Sequence, residues 1–445
     1  MAQDQPFELI YGVDDRPPWL RNLLYGFQWT IIFLPTIMIL SVIASNYLAL
    51  QGSEKVLFFQ RILLTTGAIM VIQTLWGHRY PILDGPSSAL LLSIVILAPH
   101  GMSALQGGML AGGCFLLLLS LSGLLRYIEV LFTDNVVGVI LILVAVTLLP
   151  YVAPMVIGLG PGFSNGDPMS FILSVIVIIA IALFSHWLRG FPKTVSLLLG
   201  IVLGTAFNWL YEGPDLSRLG EIPWFAFPHP LVHGLPSFSG TVTLAFLMAY
   251  LAVLVNTVGS IYSMGQVVGT HGIANRVKRG IAATGIGGIL AGVLGGIGSV
   301  SYGLSPGVIL VIRTGSRFPV SVCGIMLIFL ALFQKVLAVI LLIPAPVIGA
   351  AMVVGLASQI GIGISVLTRS GKRLDGRDYL VVGIPIIMGG MVSIFPEGFF
   401  KAFPPTLLAL IKNGLIVGIV LVLVLEHVLL AKKWRTDGKD EVKDI

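Results

Sequence analysis

Charge is scarce in this chain. Of its 445 residues only 10% are Asp, Glu, Lys or Arg, against 56% hydrophobic. A soluble domain of this length would carry about a quarter charged residues, so that class is excluded and a polytopic membrane protein remains. Cysteine is scarcer still. Cys114 and Cys323 both lie in apolar runs, which excludes a disulfide framework and makes each a small core residue. The seven histidines are scattered, and the apolar segments hold no paired carboxylates, no His/Cys metal spacing and no phosphate-binding glycine loop. Enzyme chemistry and a resident metal or cofactor are therefore not expected. Nor is a cleavable leader, because the first twenty residues are polar and the first apolar run is too long. The formal charge of +6 reflects where loop charges fall rather than a nucleic-acid partner.

Glycine, by contrast, is abundant at 53 residues. Small residues let helices approach closely in lipid, where no hydrophobic effect drives them together. The run at 280–296 is nearly all small residues and reads as a packing surface.

Apolar runs divide the chain into fourteen segments, seven on either side of the polar stretch 212–238. Two of them are too short to cross a bilayer, which takes about 20 residues of helix. Segment three (85–98) follows Asp84-Gly85-Pro86-Ser87, and segment ten (304–313) follows Ser301-Tyr302-Gly303 with Ser305-Pro306 at its start. Non-helical backbone at membrane depth is tolerated only inside protein or beside a cavity. Short, Gly/Pro-interrupted segments at matching positions of two halves point to a transporter site. The expectation is an all-α protein of fourteen spans in a 7+7 inverted repeat. Its segments three and ten would be half-helices beginning near Pro86 and Pro306, with Ser305 as an N-cap.

Lys and Arg set the orientation. Loops after even-numbered segments hold thirteen of them and loops after odd-numbered segments hold four. This puts the even loops and both termini, including 1–22 and the basic tail 432–445, in the cytoplasm of a cell-membrane protein. Lys412 and Arg61 lie near segment ends and read as snorkelling to the surface.

Few polar residues remain to carry chemistry. Asp84 either stabilises the start of the first half-helix or is a titratable, ligand-contacting group. Asn256 and Ser260 are one helical turn apart and can face one cavity, binding a polar ligand or joining two helices. Gln28 has the same two readings. Gly85, Ser87, Ser301, Tyr302, Gly303 and Ser305 complete the candidate binding set from the two interruptions.

Three stretches, LLYGFQWTIIFLP, WGHRYPILDGPSSALL and SYGLSPGVILVIRTGSR, resemble the first-helix, third-segment and tenth-segment patterns of the nucleobase and ascorbate transporters. The likeness runs along essentially the whole chain. It implies a core domain (23–125 and 239–342) and a gate domain (126–211 and 346–431) joined by an outer loop (212–238), working as a homodimer in the bilayer. It also implies a small-molecule substrate, a nucleobase by default, with protons or Na+ as coupling ions. Three positions depart from the family pattern: Trp29 replaces a histidine, and Asn256 and Leu304 stand where acidic residues bind substrate. Asp84 is then the carboxylate left to couple protons. Two half-helix N-termini without a strong carboxylate would suit an anion, and an anion transporter or exchanger is the alternative.

Overall fold

A computed structural model describes residues 9–431 except 124, 126–130, 132, 160–165, 212, 214–215, 217–218, 229–233, 270, 304, 369–372, 401–402 and 404–409. Leu304 and the tail 432–445 thus lie outside the described residues. Each of the fourteen apolar runs holds a helix. These are α1 (Trp19–Tyr47), α2 (Gly52–Leu75), α3 (Ser88–Leu97), α4 (Met102–Ser122), α5 (Asp134–Val156), α6 (Pro168–Trp187) and α7 (Ser196–Tyr211). The second half has α8 (Gly240–Val268), α9 (Ile273–Leu294), α10 (Ser305–Ile312), α11 (Phe318–Leu332), α12 (Ala345–Leu367), α13 (Gly376–Val392) and α14 (Gly414–Val424). Among the described residues, eight helices are long and apolar enough to cross a membrane unaided: α1, α2, α4, α5, α6, α8, α9 and α12.

The run 319–342, expected as one span, is broken. α11 ends at Leu332 and a second helix, Gln334–Ile340, leaves at 98° to it.

The two interruptions are extended strands that find each other. β1 (Asp84–Pro86) pairs antiparallel with β2 (Ser299–Ser301), Asp84 opposite Ser301 and Pro86 opposite Ser299. The ladder continues with Ser87 N–H to Gly298 O at 2.9 Å and Tyr302 N–H to Leu83 O at 2.8 Å. Backbone groups that lipid could not satisfy are thus satisfied by each other. Because the strands are antiparallel, α3 and α10 depart in opposite directions from one level. α3 begins at Ser88, two residues beyond Pro86, because Ser87 is the cap and accepts from Leu90 N–H at 3.4 Å.

Packing falls into two groups. α4 lies along α9 and α8, and α2 along α11 and α9, with α1 against α11 and α2. Glycine sets the α4–α9 distance: a Cβ on Gly113 would sit 2.6 Å from the Ile289 nitrogen, so the small-residue run is a packing surface. The second group has α12 against α5, α6 and α7, α13 against α14 and α5, and α6 against α7. Arg61, expected to snorkel, is buried beside Gly295 at the end of α9.

Candidate functional site

A cavity lies where the two groups meet. One lobe, of about 290 Å³, is bounded by Asn256, Ser260 and Ser263 of α8 and by Asp134 and Val137 of α5. A second lobe, of about 280 Å³, is bounded by Ser88 of α3, Tyr302 after β2, and Ser358 and Gln359 of α12. Leu141, Asn256, Gly303 and Ile362 belong to both lobes and mark their junction. Asn256, Ser260 and Ser263 fall at i, i+4 and i+7, one face of α8. The half-buried Asn256 amide bonds to no described residue.

Behind this wall the strand pair is tightly braced. Ser260 Oγ donates to Ser301 O at 2.8 Å, and Tyr302 Oη donates to Pro86 O at 2.6 Å. The Phe33 ring stands edge-on to Tyr302 with centroids 5.0 Å apart. Ser305, expected to cap α10, instead ties the interruptions together: its hydroxyl donates to Tyr302 O at 2.9 Å and accepts from Leu83 N–H at 3.0 Å.

Asp84 is not on the cavity wall. It is 1% exposed and accepts from Ser301 Oγ at 2.6 Å on one oxygen, while His78 Nε2 lies 3.0 Å from the other. Tyr80 N–H donates to His78 Nδ1 at 3.0 Å, so that nitrogen carries no proton and Nε2 is the donor to Asp84. The carboxylate holds β1, β2 and the loop after α2 together rather than capping α3, whose cap is Ser87. Arg276 fixes that loop by donating to His78 O and Arg79 O at 3.0 and 2.6 Å.

Of the ten residues singled out in the sequence, Asn256, Ser260, Tyr302 and Gly303 line the cavity. Asp84, Gly85, Ser87, Ser301 and Ser305 stand behind it. Gln28 stands apart, because α1 reaches the cavity with Thr36 and Leu40, about 12 and 18 Å further along its axis. Trp29 is fully buried. Sequence reasoning missed Asp134, the charged residue among the described cavity-lining residues. Thr133-Asp134 carried a readable signal, an N-cap followed by an acid in the first turn, but such a pair reads as a helix boundary.

The Permease family model of xanthine and uracil permeases matches residues 20–398. The chain belongs to this family. Membership makes it a multi-pass membrane transport protein and not an enzyme. It is similar to the nucleobase transporter PlUacP of Paenibacillus larvae, 26% identical over 89% of this chain and 92% of that one. The uric acid permease PucJ of Bacillus subtilis is 28% identical, over 80% of this chain and 81% of the relative. The uric acid transporter UacT of Escherichia coli is 23% identical, over 91% and 85%. Among solved structures, the transmembrane domain of the cyanobacterial bicarbonate transporter BicA shares the fold, with a TM-score of 0.64, 15% identity, and coverage of 86% of this chain and 98% of that one.

Proposed function

We propose that this permease is a secondary transporter of a planar, nucleobase-type solute, bound where Asn256 meets the Tyr302–Gly303 backbone and released by alternating access. The observation that carries the reading is the junction of the two lobes, lined by Asn256, whose amide bonds to no described residue, and by Gly303, whose Cβ side meets Ser260 Oγ at an uncrowded 3.5 Å. An amide offers one donor and one acceptor side by side, which complements the adjacent N–H and C=O of a lactam edge. A glutamate at this position would offer acceptors alone. The similarity to nucleobase and uric acid permeases supports the same substrate class. An anion carrier is not favoured, since the likeness to a bicarbonate transporter is one of fold.

The moving parts in this reading are a core (23–125 and 239–342) and a gate (126–211 and 346–431), joined by 212–238. Fourteen spans in two inverted sevens are supported by the packing. Shifting each helix number by seven turns α2 against α11 into α9 against α4, and α1 against α11 into α8 against α4, and all these contacts occur. Both termini are then cytoplasmic, as the Lys/Arg distribution requires, and the working unit is a homodimer.

Coupling by protons, with Na+ as the other candidate ion, is placed at Asp84. A proton there would compete with the His78 or Ser301 bond, and the Ser301 carbonyl holds Ser260 on the cavity wall. Binding and uptake in proteoliposomes test the whole reading with uracil, xanthine, uric acid and ascorbate. Asn256→Ala should weaken binding of the accepted solute about tenfold or more, and unchanged binding would remove Asn256 from the site.

A further inference from the structure

We propose that Asp134 is a charge filter, giving the first lobe a negative field that admits neutral and cationic solutes and holds back anions. The proposal rests on reading the cavity as the substrate path. It starts from what lines that path. Among the described residues of both lobes Asp134 is the sole aspartate, glutamate, lysine, arginine or histidine, so no described residue of the lining offers a cation to offset it.

Its place follows from helix geometry. Asp134, Val137 and Leu141 fall at i, i+3 and i+7, and Leu141 sits at the junction with Asn256. Asp134 is therefore two turns, about 10 Å along α5, from the binding junction. The lobe runs the same way along α8 from Asn256 through Ser260 to Ser263, and along α12 from Ile362 to Val366. A solute passing along this lobe approaches the Asp134 carboxylate, which bonds to no described residue.

The neighbouring residue fixes that carboxylate in position. Asn135 is 1% exposed and faces away from the lobe, donating to Asp378 at 2.8 Å and to Glu426 at 3.2 Å. Arg377 pairs with both acids, at 3.2 and 2.9 Å. The first turn of α5 is held by α13 and by the π-helical turn Leu425–Leu429 that bears Glu426. An acid in a first turn also favours the helix dipole, and the test must separate that structural role from the filter.

Two experiments do so on the full-length protein. In a Cys114→Ser background, the lobe-lining variant Ser263→Cys is reacted with a cationic and with an anionic methanethiosulfonate. With rates corrected for reaction at a free thiol, the cationic reagent should be favoured about tenfold. Asp134→Asn should lower that preference at least threefold and Asp134→Glu should retain it. A loss of helix-cap stability alone would alter both rates together. An unchanged ratio in Asp134→Asn, or no reaction with either reagent, overturns the proposal.

The second experiment compares binding of uracil with that of orotate, its carboxylated analogue. Asp134→Asn should raise orotate affinity relative to uracil about tenfold, and an unchanged relative affinity counts against the filter. Failure of both solutes to bind the unaltered protein would sink the nucleobase reading, while the thiol ratio still decides the filter.

Discussion

The two strand–helix units, 84–97 and 299–312, share one design and differ in what flanks them. In the first, the space around the strand is filled, and the unit reaches the cavity through Ser88 at the start of α3. Asp84 is locked between His78 and Ser301, Gly85 lies under the Phe33 ring, and Ser87 spends its hydroxyl on capping α3. In the second, the strand continues into Tyr302 and Gly303, which face the cavity. A pair of interrupted segments thus marks where a cavity lies, but one member can serve as the scaffold on which the other is presented.

Substitutions at the two glycines should break this comparison most visibly. A Cβ on Gly85 would lie 2.4 Å from Phe33 Cζ, and that ring is itself pinned against Tyr302. Gly85→Leu should therefore prevent accumulation of folded protein, and even Gly85→Ala should cost about 1–3 kcal/mol from overpacking. The nearest contact to a Cβ on Gly303 is Ser260 Oγ at 3.5 Å. Gly303→Leu should fold, fill the junction and abolish uptake. Normal uptake by a well-expressed Gly303→Leu protein would take this stretch out of the site.

Next in size is Asp84→Asn. An amide turns one of its two faces into a donor opposite groups that already donate, so stability should fall by about 1–3 kcal/mol in denaturation monitored by fluorescence. Coupling at Asp84 further requires that this variant lose pH-driven accumulation while still exchanging solute. A pH dependence equal to that of the unaltered protein in proteoliposomes would end the coupling role.

The smallest effects separate wall from brace. Ser260→Ala removes the bond to Ser301 O and should cost about 1 kcal/mol with a modest loss of affinity. Gly303→Ala should leave stability within about 0.5 kcal/mol, as an added methyl meets no crowding there. A larger loss of stability for Gly303→Ala than for Gly85→Ala would reverse the assignment of scaffold and wall.

Much of this architecture was legible because lipid removes alternatives. Apolar run length located a helix in each of the fourteen runs, and the two Gly/Pro interruptions located the strands, since unpaired backbone at that depth has nowhere else to bond. The partners of single polar side chains were not legible. Asp84 and Asp134 look alike in sequence, each opening an apolar run. Whether such a carboxylate meets a cavity or a histidine depends on contacts across the fold, and Asp84 bonds to Ser301, 217 residues away. The break in α11 left a faint mark, the polar pair Gln334-Lys335 directly after Phe333, but two polar residues inside a long apolar run do not register a turn of 98°.

The pairing of β1 with β2 sets a timetable for biogenesis. With synthesis at about 5–20 residues per second, the 217 residues between Asp84 and Ser301 take about 10–40 s to emerge. During that interval the backbone of β1 and the Asp84 carboxylate have no native partner on the second strand. The first seven segments therefore cannot complete their fold alone. They wait, half-assembled, with a polar seam that must be kept from lipid until the second half inserts beside it.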